Sequence, residues 1–478
     1  MQCTAIAYAV GETRRPNILL IAIDDLNDWV GCLAGHPQTR TPHIDALAGG
    51  GVSFTNAHCQ GPICGPSRAC LLSGSYPFTT GVYQQPNKKD MQLDSKHFHG
   101  QLLPQYFAQH GYETLAVGKI CHGYPDNMAF QTYGGKWDGF GPKPLNGHRF
   151  NYQLPDVPWT GTQTDWGTFP DVDRKMPDHK SAEWVEQQLA KPRDKPFFMA
   201  VGFLRPHVPF YVPQKWFDMF PLDEVQLPDV RRDDLDDVPE ISRQMHELPK
   251  YPTLDYLQKN NNKQFRLCVQ AYLACTAFVD HQVGRVLTAL AFSQHLDNTI
   301  IVLFSDHGYH LGEKNRVSKH SLWEESTRVP LIVYRPNRGK ASQCDLPVGL
   351  IDIYPTLVEL CDLPKKTSNE GISLVPLLDK SQPEWRFAIP TTYARGSHSL
   401  RSKRHRFIRY EDGSEELYDH TTDRHEWTNL ASSLRHQELV EQFRRELPQE
   451  NAKYHPATQK GPVNAWFKQH LAENGVGK

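Results

Sequence analysis

Five short runs that lack polar alternation punctuate the first two thirds of the chain: residues 17–23 (NILLIAI), 113–118 (ETLAVG), 196–203 (PFFMAVGF), 299–304 (TIIVLF) and 330–334 (PLIVY). Continuous apolar runs of this length predict strands buried on both faces, as in a parallel sheet covered by helices. Residues 263–290 carry Phe265, Cys268, Tyr272, Cys275, Val279, Val283 and Val286 at three- and four-residue steps. That spacing predicts a long helix with one apolar face. It leads directly into the fourth run, the helix-to-strand order of an α/β fold.

Two segments break the pattern. Residues 222–262 are acidic, contain prolines and show little periodicity, which predicts a long surface insertion at the rim of a site. After Trp385, the runs HRFIR (405–409) and EELY (415–418) and the turn pair Asp412-Gly413 predict a small antiparallel sheet, with a helix near 437–447. The expected organisation is a catalytic domain over 14–384 and a C-terminal subdomain over 385–478.

Composition narrows the function classes. With 52 Lys and Arg against 54 Asp and Glu, the formal charge is −2, which gives no general hold on nucleic acid or anionic lipid. No apolar run approaches the ~20 residues that cross a bilayer, so no transmembrane segment is expected. Residues 1–10 (MQCTAIAYAV) are small and apolar but lack a basic start and a full apolar core, and read as an absent or truncated signal peptide. The ten cysteines include no CxxC pair, which argues against a structural zinc site. Most of them read as small buried apolar residues.

The candidate chemistry lies just after the strands. The first run ends in Asp24-Asp25, the second in Lys119 with His122 close behind, the third leads to His207, and the fourth ends in Ser305-Asp306-His307-Gly308. In open α/β sheets, ligands bind beyond the carboxyl ends of the strands, so these groups are expected to converge. Asp24, Asp25 and Asp306 would be costly there unless paired or bound to a cation. Carboxylates favour calcium or magnesium, and His307 is a softer donor. The alternative is that Asp24-Asp25 caps a helix. Gly65 as a cap, Pro66 at the first helical position and Gly74 at the end read as a short helix with Cys64 just before it, where the N–H groups would favour a thiolate and Arg68, one turn further in, can lean back towards the same place. Taken singly, Cys64 would be a buried turn cysteine, Lys119 a solvated cation, and His122 or His207 a structural histidine.

Together these residues carry a resemblance. Cys64-x-Pro66-Ser67-Arg68 with Leu71-Leu72-Ser73-Gly74 resembles the signature of the type I sulfatases. Arg15-Pro16-Asn17-Ile18, Thr41-Pro42-His43-Ile44-Asp45, Gly118-Lys119, Ser305-Asp306-His307-Gly308 and Arg328-Val329-Pro330-Leu331 match that family in the same order. The resemblance spans roughly 14–335 and, more loosely, the Glu416-Leu417-Tyr418-Asp419 region. It is nearest to iduronate-2-sulfatases through Gly118-Lys119-Ile120-Cys121-His122 and the stretch from Gly202 to Phe210.

The resemblance implies an alkaline-phosphatase-like sandwich with a large mixed, mostly parallel sheet flanked by helices. It implies that a formylglycine-generating or anaerobic sulfatase-maturating enzyme oxidises Cys64 to formylglycine, whose hydrate attacks sulfur and then expels sulfate. Asp24, Asp25, Asp306, His307 and residue 64 would hold one divalent cation, Ca2+ before Mg2+. Lys119 and Lys319 would clamp sulfate, Arg68 would polarise the diol, His122 would accept a proton and His207 would protonate the leaving oxygen. Lys319 has a competitor in adjacent His320, and His310, Lys314 and Arg316 either line the substrate side or lie in a solvated loop. The implied substrate is a sulfated saccharide, and the implied location periplasmic or secreted, lysosomal in a eukaryote. A thiolate phosphatase is excluded because Cys64 and Arg68 enclose three residues rather than five. A phosphate or phosphonate ester hydrolase of the same fold and a glycan-binding protein with unmodified Cys64 are the alternatives.

Overall fold

The computed structural model describes residues 15–86, 101–122, 129–136, 139–145, 148–153, 164–336, 341–380, 384–458 and 464–476. Residues 1–10, read above as an absent or truncated signal peptide, lie outside them. Among the described residues, no helix is long and apolar enough to cross a membrane.

The large sheet has eight strands: β1 (Asn17–Ile23), β2 (Val52–Phe54), β3 (Glu113–Gly118), β4 (Thr132–Tyr133), β5 (Phe197–Phe203), β6 (Thr299–Ser305), β7 (Leu331–Tyr334) and β8 (Ser342–Cys344). Their spatial order is β8-β2-β7-β6-β1-β5-β3-β4. From β6 through β1, β5 and β3 to β4 every pair is parallel. All seven residues of β1 are buried, because the sheet is covered on both faces. Ile18, Leu20 and Ala22 join one core, with helices Cys64–Ser73, Leu103–Gln109 and Ile353–Leu360. Leu19, Ile21 and Ile23 join the other, under helices Pro42–Ala48, Pro177–Leu189 and Lys259–Ala291. Each such aliphatic side chain contributes roughly 1.5–3 kcal/mol by leaving water.

The fifth apolar run departs from the parallel expectation. It forms β7, which pairs antiparallel with both β6 and β2. Among the described residues, the chain between β6 and β7 holds only short elements, the longest being the four-residue helix Glu324–Thr327. Without a crossover helix, the chain returns in the opposite direction.

The C-terminal sheet is antiparallel, with β9 (Ala388–Thr392), β10 (His398–Ser402), β11 (His405–Arg409) and β12 (Glu415–Asp419) in sequence order. Leu400, Phe407 and Leu417 on one face pack against Val440 and Phe443 of helix Gln437–Glu446. Ile408 and Tyr418 on the other join Trp323 and Tyr393 beside the site.

Residues 222–262 are not a loose surface loop. They include helices Glu240–His246 and Leu254–Leu257, and bury Val238, Ile241, Met245, Leu248, Leu254 and Leu257. Their apolar positions are spread over short elements, too short to show a period in sequence.

Candidate active site

Register brings the polar groups together. Ile23 of β1 lies beside Phe203 of β5 and Ser305 of β6, and Gly118 of β3 lies beside Gly202 of β5. The residues that follow these strands therefore share one edge of the sheet. Gly202 is needed at this crossing, since a Cβ there would stand 2.0 Å from the Lys119 carbonyl oxygen. Gly118 has φ 76°, in the left-handed region that glycine adopts without strain.

Helix Cys64–Ser73 is wholly buried and ends at Gly74, which has φ 73° and donates its N–H to the Cys70 carbonyl. The helix starts at Cys64 with Ile63 as its cap, so the thiol sits in the first turn rather than before it. The Cys64 Sγ is 3.2 Å from His307 Nε2 and 3.5 Å from Lys319 Nζ, and it hydrogen-bonds His122. Burial pushes this thiol up, but Lys119, Lys319 and His307 outweigh it and hold it well below the usual thiol range.

The three aspartates are held by buried cations. Arg68 donates Nε to Asp306 Oδ2 at 2.7 Å and Nη2 to Asp24 Oδ1 at 3.3 Å, and its Nη1 bonds the carbonyls of Lys119 and Ile120. Lys119 Nζ is 2.5 Å from Asp24 Oδ2, and Lys319 Nζ is 2.6 Å from Asp25 Oδ1. Burial raises the Asp24 carboxyl, yet Lys119, His207 and Arg68 hold it far below the carboxylate range. Asp25 takes φ 65°, uncommon for a residue with a side chain. Its N–H donates to Asp306 Oδ1, and its carbonyl accepts the Tyr272 hydroxyl.

Two histidines are oriented for work at Nε2. The Nδ1 of His307 faces the Gly308 carbonyl at 2.9 Å, and that of His207 faces the Val208 carbonyl at 2.7 Å. Each Nδ1 is therefore the donor, and Nε2 is left for the site. His307 Nε2 is 3.3 Å from Asp25 Oδ1 and 3.6 Å from Asp306 Oδ1, and His207 Nε2 is 4.0 Å from Asp25 Oδ2. Burial pushes His122 down to about 4, which keeps its imidazole neutral.

Every residue expected at the site thus lies in one connected cluster. Ligand atoms of Asp24, Asp25, Cys64 and His307 all lie within 4.8 Å of one another. Asp306 adjoins them, its two oxygens already taken by Arg68 and the Asp25 N–H. Asp25 Oδ2 is buried with no hydrogen-bond partner, an acceptor that a cation would satisfy. Carboxylate oxygens with one imidazole therefore fit a hard divalent ion.

Lys319, not His320, enters the cluster: His320 turns its ring towards Tyr251 and Tyr393. His310, Lys314 and Arg316 are buried, which overturns the solvated-loop alternative. His310 bonds Ser321, and Lys314 pairs with Asp234 at 2.7 Å. Sequence reasoning missed the residues that support the cluster. Tyr272 bonds Asp25 and Asn27, Ser67 bonds the Asp306 carbonyl, and Asp178 accepts the N–H groups of Leu204 and Arg205 ahead of His207. The sequence marks Tyr272 only as part of an apolar helix face, and no sequence signal marks its hydroxyl.

The large mixed, mostly parallel sheet flanked by helices, with a smaller antiparallel C-terminal sheet, is an alkaline-phosphatase-like fold. The sulfatase family model matches residues 16–363, and the model of the C-terminal part of N-sulphoglucosamine sulphohydrolase matches 312–453. The chain belongs to the sulfatase family, among the sulfuric ester hydrolases. It is 42% identical to a sulfatase of Formosa agariphila over 449 residues, covering 92% of this chain and 88% of that one. It is 32% identical to the iduronate 2-sulfatase of Homo sapiens over 420 residues, covering 76% and 72%. Among solved structures, a 2-O GAG sulfatase superposes with a TM-score of 0.70 at 22% identity, covering 97% of this chain and 93% of that one. A phosphonate monoester hydrolase of Agrobacterium radiobacter gives a TM-score of 0.71 at 23% identity, covering 90% and 94%. At these identities the two structures speak for the fold alone.

Proposed function

We propose that the chain removes sulfate from a sulfated sugar of a glycosaminoglycan or other polysaccharide, with a 2-O-sulfated uronic acid as the preferred unit. The reaction centre would combine one divalent cation, Ca2+ before Mg2+, with formylglycine made from Cys64 by a formylglycine-generating or anaerobic sulfatase-maturating enzyme. The observation that carries this reading is the placing of Cys64 within reach of His307, Lys319 and His122 above the aspartate cluster. When present, the cation would draw charge from the sulfate oxygens and the hydrated aldehyde would supply the attacking hydroxyl.

The chain's own residues supply the rest. Asp24, Asp25, Asp306 and His307 hold the cation, and Arg68 fixes Asp24 and Asp306 and lends its charge to polarise the diol on residue 64. Lys119 and Lys319 neutralise the remaining sulfate oxygens. His122 accepts the proton from the spare hydroxyl of residue 64, and His207 Nε2 donates one to the departing sugar oxygen. The packed segment over 222–262 brings Tyr251 beside the site, which supports attack at chain ends rather than within chains. A role outside the cytoplasm, periplasmic, secreted or lysosomal, suits such substrates, and the catalytic part would end near residue 384.

Comparing matured protein on an aryl sulfate and an aryl phosphate diester tests the reading. Preference for sulfate is expected. Preference for the phosphate diester would transfer the site to the phosphate and phosphonate hydrolases. No turnover, with a thiol still at residue 64, would favour the glycan-binding alternative.

A further inference from the structure

Beside the cluster lies a cavity of about 320 Å³, lined in part by His246, Leu248, Tyr251, Lys314, Asn315 and Arg316. Arg316 is only 6% exposed. Its Nε reaches the Lys314 carbonyl at 3.3 Å and its guanidinium stands 5.3 Å from the Trp323 ring, but Nη1 has no hydrogen-bond partner. Among the described residues no carboxylate pairs with it. The neighbouring buried cations are different: Lys314 has Asp234, Arg401 has Glu324, and Arg406 has Glu324 and Glu426. The Glu324–His420–Glu426 group, spaced closely enough for a metal, is neutralised by those two arginines and calls for no ion.

Three ring nitrogens around Arg316 also lack partners. His246 Nε2, His310 Nδ1 and His320 Nδ1 are buried and unbonded. Burial keeps all three imidazoles well below their ordinary range, so they are neutral and bring no counter-charge. Water can satisfy unbonded donors, but a buried guanidinium also calls for an anion. The cavity adjoins the reaction centre. Tyr251, on its wall, stands 5.9 Å from the ring of His320, which follows Lys319, whose Nζ is 3.5 Å from Cys64 Sγ.

We propose that Arg316 is a specificity-determining residue that receives a second oxyanion of the same saccharide, the carboxylate of a uronate or a second sulfate, while the scissile sulfate sits at residue 64. Its fork suits two parallel N–H···O bonds to either group, and His246, on the cavity wall, offers an unbonded Nε2 to a neighbouring hydroxyl. The proposal rests on the sulfated-sugar reading above and adds which side chain receives the second anion of the substrate.

Binding measured by calorimetry on Cys64→Ala, which cannot turn over, tests it apart from catalysis. One ligand pair is a 2-O-sulfated uronate and its carboxyl-reduced counterpart; the other is a disulfated hexosamine and its monosulfate. For at least one pair, the dianion should bind about 10- to 100-fold more tightly, and Arg316→Met in the same background should abolish that preference. The pair that responds identifies the oxyanion. Equal binding within both pairs, or a preference that survives Arg316→Met, would overturn the proposal. A merely structural Arg316 would instead weaken all four ligands alike and lower the unfolding temperature, which also counts against it. Failure of matured wild type on every sulfate ester would sink the sulfatase reading while leaving the binding ratios readable.

Discussion

Replacing Gly202 by alanine tests whether strand packing sets the site. The backbone there is ordinary, so the effect is steric: the added Cβ would meet the Lys119 oxygen at 2.0 Å, its carbonyl carbon at 2.3 Å and its nitrogen at 2.7 Å. Ordinary contact begins near 3.4 Å, so the end of β3 must retreat by about 1.4 Å. That carbonyl accepts Arg68 Nη1, and Lys119 N–H bonds the Gly202 carbonyl at 3.0 Å, so both links loosen together. Overpacking and a weakened hydrogen bond should cost about 2–4 kcal/mol of stability. Displacing Lys119 and His122 by this distance should lower kcat/KM on an aryl sulfate by about 100-fold, measured well below the unfolding temperature. Gly50→Ala, whose Cβ would meet nothing closer than 3.5 Å, is the control and should change neither quantity. An alanine at 202 that leaves kcat/KM within about threefold of wild type would refute the claim that this crossing positions Lys119.

Other expectations follow from single contacts. His207→Ala should slow a substrate with a poor alkoxide leaving group by about 100-fold or more and one with a nitrophenol leaving group far less, because only the former needs the proton; equal losses on both would remove His207 as the acid. Chelation should abolish turnover and lower the unfolding temperature, with added Ca2+ restoring both, since Asp25 Oδ2 has no hydrogen-bond partner; turnover unaffected by exhaustive chelation would contradict this. Asp280 accepts the N–H groups of His43 and Ile44 at the start of helix Pro42–Ala48, and burial pushes its carboxyl from an ordinary 3.8 up to about 7. The folded state then holds a proton that the unfolded chain has lost, so stability should fall as pH rises from about 4 to 7. Asp280→Asn should flatten that decline by roughly 2–4 kcal/mol, measured by denaturant unfolding across the window, and an unchanged slope would show that the carboxylate stays ionised throughout.

The central strands were legible because burial on both faces leaves an uninterrupted apolar run: NILLIAI and ETLAVG coincide with β1 and β3. The positions of Asp24, Lys119 and Asp306 followed from strand ends alone, and parallel register turned sequence adjacency into spatial adjacency. Strands of two or three residues, such as β2, β4 and β8, carry too little pattern to be read. The direction of β7 was hidden because a run of apolar residues does not say which way its neighbour points. At the site, residue types were legible and partnerships were not. The sequence marks Arg68 as a charge near residue 64 but not as the tie between Asp24 and Asp306. Tyr272 and Asp178 act through hydroxyl and carboxylate contacts across more than 20 residues of chain, which no local pattern records. Arg316 could be placed near the substrate but not distinguished from a solvated arginine until its burial and its lack of a carboxylate were visible.

The central claim is that a divalent ion and an aldehyde derived from Cys64 share one centre. Anomalous diffraction from crystals of the matured protein addresses both halves at once. The account predicts a single ion about 2.3–2.6 Å from oxygens of Asp24, Asp25 and an oxygen-bearing residue 64, with density for sulfur at that side chain gone. Sulfur retained at residue 64 in fully active protein, or an ion bound remote from Asp25, would contradict it.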